Sequence, residues 1–196
     1  MELRSHRKKV KAVRIILMGD RGIGKSSIIH ASIGTKKVKC IKFRLARYYK
    51  FTMNFANEAV PMSILDMTDT TECIELWEFY ECLRVDTVVL CYAVDDRKSF
   101  ENIKTRWMQE ARKYFNKAFI VLVGLRLDRM LEDTVVDPVF FREGDEIARK
   151  FLLKAFFTTS TLRKDAVNFL FLITLGRDVI LSLFSPRYFK QLFTLN

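Results

Sequence analysis

One stretch of this 196-residue chain limits its folding options more than any other: "GDRGIGKSS", residues 19–27. It satisfies the spacing G-x-x-x-x-G-K-[ST]. The preceding run, "AVRIILM" (residues 12–18), is near-continuously apolar and β-branched, as a strand buried on both faces must be. The following run, "KSSIIHASI", begins a helix. Strand, glycine loop and helix in that order give the spacing its physical meaning. The backbone N–H groups of Asp20, Arg21, Gly22, Ile23, Gly24 and Lys25 can converge on phosphate oxygens, and the helix that carries Ser26 and Ser27 adds its positive N-terminal end. Lys25 would neutralise the β and γ phosphates, and the Ser26 hydroxyl would ligate Mg²⁺.

The rest of the chain alternates in the same manner. Residues 43–55 and 59–65 read as two strands of an early hairpin. Residues 72–83, "ECIELWEFYECL", have helical spacing. "DTVVLCYAV" (86–94) is a buried strand and "SFENIKTRWMQEARKYF" (99–115) an amphipathic helix with Ser99 as its cap. A strand over 118–124, a mostly helical stretch over 137–153, a short strand over 155–160 and a long apolar helix over 164–185, ended by Pro186, complete the order. The expected architecture is α/β, a six-stranded and mostly parallel sheet with helices on both faces.

Length and composition fit one domain with a large core: 49% of residues are hydrophobic and only 7 are Gly and 3 Pro. The expected division is a basic tail over 1–11, the domain over 12–183 and an amphipathic tail over 184–196. Cys40, Cys73, Cys82 and Cys91 lie far apart with no C-x-x-C pair, which argues against a zinc site and a disulfide framework. Charge is uneven. Residues 1–50 hold 15 Lys and Arg against 2 acids, whereas the remainder holds 19 against 21. The excess sits in "RSHRKKVKAVR" and "KKVKCIKFRLARYYK". Such blocks attract acidic lipid headgroups, nucleic acid or an acidic protein, or they serve as a solvated tail and a guarded sheet edge.

Beyond its phosphate loop, the chain resembles the Ras superfamily of small GTPases, and its Rho branch most. "VDTVVLCYAVDDRKSFENIKTRW" is similar to a Rho stretch in which an aromatic-bearing strand precedes a "SFENV"-like helix start and a Trp. "FIVLVGLRLD" stands where the base-reading motif belongs, and "STL" (160–162) where "SAL" is expected. The resemblance covers nearly all the chain and implies a P-loop small G domain. Between Asp128 and Ser160 there is room for at most a shortened form of the extra helix of Rho proteins.

The resemblance assigns roles position by position. Asp66, in "ILDMTDT", matches the acid that holds Mg²⁺ through water. The glycine whose N–H meets the γ-phosphate becomes Asp69, an anion beside an anion. The glutamine that orients attacking water falls at Thr70, and a loop glycine becomes Arg21. Counting 41 residues from Lys25 to Asp66, as in the Rho branch, puts the Mg²⁺-ligating threonine at Arg44. Arg44, Lys42 or Lys39 could replace metal charge at the phosphates, or form an effector face for an acidic partner. Of the base pocket, Asp128 keeps the carboxylate that accepts from guanine, and Arg126 can lay its stem and guanidinium over the ring as lysine does. Leu125 loses a polar tie to the phosphate loop, while Ser160, Thr161 and Leu162 keep the backbone that reads the guanine oxygen.

With Arg21, Arg44, Asp69 and Thr70 all altered, and each such loss costing ~10²-fold or more, hydrolysis becomes negligible. The expected function is an atypical Rho-like protein that binds GDP or GTP, with Mg²⁺ weakened by the absent threonine, and acts in signalling through effectors or regulators. The alternative is a nucleotide-free pseudo-GTPase used as an interaction module. Nucleic-acid binding is a third reading that lacks a groove-reading element. No cysteine follows Cys91, so C-terminal prenylation is not expected. The expected location is cytoplasmic, with at most weak contact to anionic membranes.

Overall fold

A computed structural model describes residues 12–33, 38–42, 46–55, 58–67 and 84–161. The expected helices over 72–83 and 164–185, both tails, Arg44, Asp69, Thr70 and Leu162 lie outside the described residues. The elements are β1 (Val13–Met18), α1 (Lys25–Ile33), β2 (Lys39–Lys42), β3 (Ala46–Phe55), β4 (Glu58–Met67), β5 (Thr87–Ala93), α2 (Arg97–Asn102), a π-helical turn (Ile103–Trp107), α3 (Met108–Tyr114), β6 (Phe119–Leu125), a 3-10 turn (Leu127–Leu131), α4 (Phe141–Lys150) and β7 (Ala155–Thr158).

The strands form one sheet in the order β2-β3-β4-β1-β5-β6-β7. β2–β3 and β3–β4 are antiparallel and every other pair is parallel. The sheet has seven strands, not the expected six. The seventh is β2, whose four residues are all exposed, so no apolar alternation marks it in the sequence. It exists because its backbone completes the ladder along β3, Lys39 facing Lys50 and Lys42 facing Arg47. Pro61 is tolerated in β4 because it lies one residue before β4 begins its pairing with β1 at Met62.

The period-2 pleat divides the core in two. Val13, Ile15 and Leu17 of β1 turn to one face, where Ile28, Ile29 and Ile33 of α1 pack with Tyr49 and Phe51 of β3. Ile16 and Met18 turn to the other, among Leu90, Phe100, Ile103, Trp107 and Ile147. All seven residues of β5 are buried, as a central parallel strand covered on both faces requires.

One local expectation is corrected and a second is narrowed. The α2 cap is Asp96, not Ser99: the Asp96 carboxylate accepts from the Ser99 backbone N–H at 3.2 Å. Ser99 is buried and bonds both the Asp96 carbonyl and the Ala93 N–H, so it joins helix to strand instead. Within the stretch 137–153, expected to be mostly helix, the helix itself is Phe141–Lys150. Arg97 holds the Asp137 carboxylate and the Pro138 carbonyl, and the Val139 N–H bonds the Val94 carbonyl at 2.8 Å, which keeps that segment out of the helix. Between residues 128 and 160 the described helices are the end of the 3-10 turn and α4, with no inserted Rho-type helix.

Candidate functional site

The C-terminal ends of the parallel strands point the same way, so the ends of β1, β4, β5, β6 and β7 lie at one edge of the sheet. In open α/β sheets that edge is where ligands bind. The phosphate loop follows β1. A Cβ on Gly19 would lie 2.2 Å from the Cys91 carbonyl oxygen, and Gly19 also has φ +143°, so only glycine lets the loop leave the sheet here.

Lys25 is 5% exposed, and its ammonium donates to the carbonyls of Gly19 at 2.8 Å and Asp20 at 2.6 Å. The side chain thus spans the loop it is expected to serve. Ile23 is buried, whereas Arg21, Gly22 and Ser27 are exposed. The Asp20 carboxylate turns away from the loop's concave side. It accepts from Asn102 Nδ2 at 2.6 Å and Trp107 Nε1 at 2.7 Å, which anchors the loop to the helix beyond β5.

Ser26 and Asp66 come together as the sequence implies. The Ser26 hydroxyl donates to Asp66 Oδ2 at 2.5 Å. Asp66 is fully buried, and its Oδ1 has no hydrogen-bond partner among the described residues. Burial raises the carboxyl above its usual range, although Ser26, Lys25 and Arg47 pull the other way. A buried carboxylate with one unsatisfied oxygen beside a hydroxyl is the hard oxygen donor set that suits Mg²⁺, which takes few protein ligands and fills its shell with water and phosphate. The residues present fit the ion. Among the described residues no group of three or more His, Cys, Asp and Glu offers another metal site.

The opposite wall is built after β6 and β7. Arg126 adopts a left-handed backbone (φ 59°, ψ 39°), which aims its side chain at the phosphate loop. Its guanidinium donates to the Gly22 carbonyl and to Asp95 at 3.2 Å, and its stem passes Gly24. Arg126 therefore ties the two loops together, a tie that Leu125 cannot make. Asp95 also faces Arg129 at 3.5 Å. The loop after β7 is held to this wall by Leu127 N–H to the Thr159 carbonyl at 3.2 Å and Thr159 N–H to the Gly124 carbonyl at 2.8 Å. Ser160 is buried and Thr161 exposed.

These loops enclose one cavity of ≈ 260 Å³, lined by Gly22, Gly24 and Ser27 on one side and by Arg126, Asp128, Thr159 and Thr161 on the other. Sequence reasoning missed four participants: Arg47, Asp95, Asn102 and Trp107. Arg47 stands opposite Asp66 in the β3–β4 ladder, and its Nη1 reaches Ser26 Oγ at 3.4 Å.

Comparison with known proteins agrees with this layout. The family model for the Ras family matches residues 14–180. The chain is 29% identical over 167 residues to the Ras-like GTP-binding protein RHO1 of Entamoeba histolytica, covering 82% of this chain and 74% of that one. It is 26% identical over 171 residues to the human Rho-related GTP-binding protein RhoD, covering 83% and 80%. It also matches the Mitochondrial Rho GTPase 1 of Arabidopsis thaliana at 33% over 118 residues, 60% of this chain but 18% of that longer protein.

Proposed function

Because the chain belongs to the Ras family, as a Rho-like small GTP-binding protein, we propose that it holds GDP or GTP in the cavity between the phosphate loop and the Arg126–Asp128 segment, with little or no hydrolysis. The observation that carries this reading is the shared cavity itself, which joins phosphate-loop and base-side residues in one space. Lys25 exchanges its loop carbonyls for phosphate oxygens, and the amides of residues 20–25 supply further donors. The Asp128 carboxylate accepts from guanine, and Thr161 stands at the same wall. Mg²⁺, when bound at Ser26 and Asp66, supplies positive charge for the phosphates.

Weak hydrolysis follows from side-chain chemistry. Thr70 has no amide with which to orient water, and Asp69 sets a negative charge where the resemblance places an N–H donor. Such a protein signals by abundance, location or exchange of nucleotide, and its binding face for an acidic regulator is the exposed β2, with Lys39 and Lys42. The basic blocks of residues 1–50 give weak contact with anionic membranes as a second consequence of the same charge.

The test is to denature purified protein and resolve the released nucleotide by anion exchange, then to follow phosphate release from added GTP. GDP or GTP with negligible turnover is the expected result. Turnover at rates ordinary for small GTPases overturns the impaired hydrolysis. No released nucleotide, together with no rise in melting temperature on adding GDP or GTP, replaces this reading with that of a nucleotide-free interaction module.

A further inference from the structure

Beside the Ser26–Asp66 pair stands a cation that the sequence pattern does not announce. Lys42 of β2, Arg47 of β3 and Asp66 of β4 stand in one cross-strand row. Residues directly opposite in a ladder project from the same face, so all three side chains share the face on which α1 lies. The row leads to Ser26: Asp66 accepts from its hydroxyl at 2.5 Å, and Arg47 Nη1 donates to the same oxygen at 3.4 Å. The guanidinium is therefore one hydroxyl away from the carboxylate and bonds the hydroxyl oxygen that would otherwise serve a metal ion.

Arg47 is also held in place. It lies close enough to the Tyr49 hydroxyl, two residues along the same face, to favour that group's ionised form. That hydroxyl meets His30 Nε2 of α1 at 3.2 Å, and the two rings pack edge to face at 5.8 Å. Tyr49 is buried, so the support is rigid. A planar guanidinium can bond two phosphate oxygens at once and keeps its charge at every accessible pH.

We propose that Arg47 is a built-in cation for the terminal phosphate of a bound nucleoside diphosphate, so that this protein holds nucleotide without needing a divalent metal. Ser26 and Asp66 position the guanidinium, and Lys42 adds a second positive charge in the same row. This inference rests on the nucleotide-binding reading above.

The test is a titration with GDP carrying an N-methylanthraniloyl fluorophore, run in excess Mg²⁺ and again in excess EDTA, on wild type, Arg47→Met and Arg47→Lys. The wild-type Kd is expected to change less than about threefold between the two buffers, under ~0.7 kcal/mol. Arg47→Met is expected to lose at least ~10-fold in EDTA, equivalent to ~1.4 kcal/mol, with Mg²⁺ restoring part of it and Arg47→Lys losing less. A wild-type loss of tenfold or more in EDTA overturns the inference and leaves nucleotide binding intact. So does an Arg47→Met protein that melts like wild type and binds equally in both buffers. Should Arg47→Met fail to fold, the wild-type comparison alone decides. Absence of binding in both buffers removes the nucleotide reading and this inference with it.

Discussion

The indole Nε1 of Trp107 donates to the Asp20 carboxylate at 2.7 Å, across 87 residues of sequence. Trp107 is fully buried, and Asp20 is half-buried in the phosphate loop. The loop is thus fixed from behind by the second core layer as well as from in front by Lys25.

Trp107→Phe keeps the apolar body of the side chain but leaves Asp20 with one donor fewer. A lost bond to a charged group costs ~1.5–3 kcal/mol. Urea denaturation should show a loss in that range, and nucleotide should dissociate faster as the loop loosens. An unchanged denaturation midpoint would mean that the indole bond contributes nothing.

Asp66→Asn should stabilise the ligand-free protein. Burial holds the folded-state carboxyl above its usual value, so the folded state binds the proton more tightly than the unfolded chain. The associated stability is present in full below the unfolded value and is lost as pH rises through the folded one, which leaves a penalty at neutral pH. Removing the charge should raise Tm by ~2–4 °C at pH 7, the shift that about 1 kcal/mol gives in a domain of this size. The gain should shrink in acid. Scanning calorimetry at two pH values reads both.

Cysteine labelling should separate the two described thiols. Cys40 is exposed, whereas Cys91 lies in the central strand with its thiol pushed up to about 12 by burial. Iodoacetamide at mildly alkaline pH should modify Cys40 in the native protein and reach Cys91 only after denaturation. Peptide mass spectrometry gives the answer. By the same sign argument, the stability linked to Cys91 is intact below pH 9 and lost progressively towards 12.

Arg126→Met should cut the tie between the base-side loop and the phosphate loop. The guanidinium is shared by the Gly22 carbonyl and Asp95, and its side chain is 31% exposed, so the stability cost is modest, ~0.5–1 kcal/mol. Nucleotide affinity should fall more, by ~10-fold, because both walls of the cavity lose their register; this corresponds to ~1.4 kcal/mol. A fluorescent-GDP titration beside a thermal melt separates the two effects.

The parts of the site set by short-range chemistry were legible. Asp20 to Lys25 form their loop because glycine spacing dictates it, and β1 and β5 are apolar enough to be read as buried strands. The Ser26–Asp66 pair was legible only through the resemblance, since 40 residues separate them. What stayed hidden depends on register. Arg47 comes to Ser26 because of how β3 pairs with β4, which no single run of residues reveals. The strand β2 is made by backbone pairing alone. Asp96 rather than Ser99 caps its helix because the cap preference of the two residue types is similar, and packing against Ala93 decides between them.

Asn102 and Trp107 are five positions apart, yet both hold one carboxylate. On a regular α-helix such residues point ~140° away from each other. The intervening wide turn, Ile103–Trp107, cancels that divergence by accommodating an extra residue per revolution. Winding the same five residues as an ordinary α-helix, with none removed, would splay the pincer apart, so the irregularity works as a spacer that keeps both side chains on the phosphate loop.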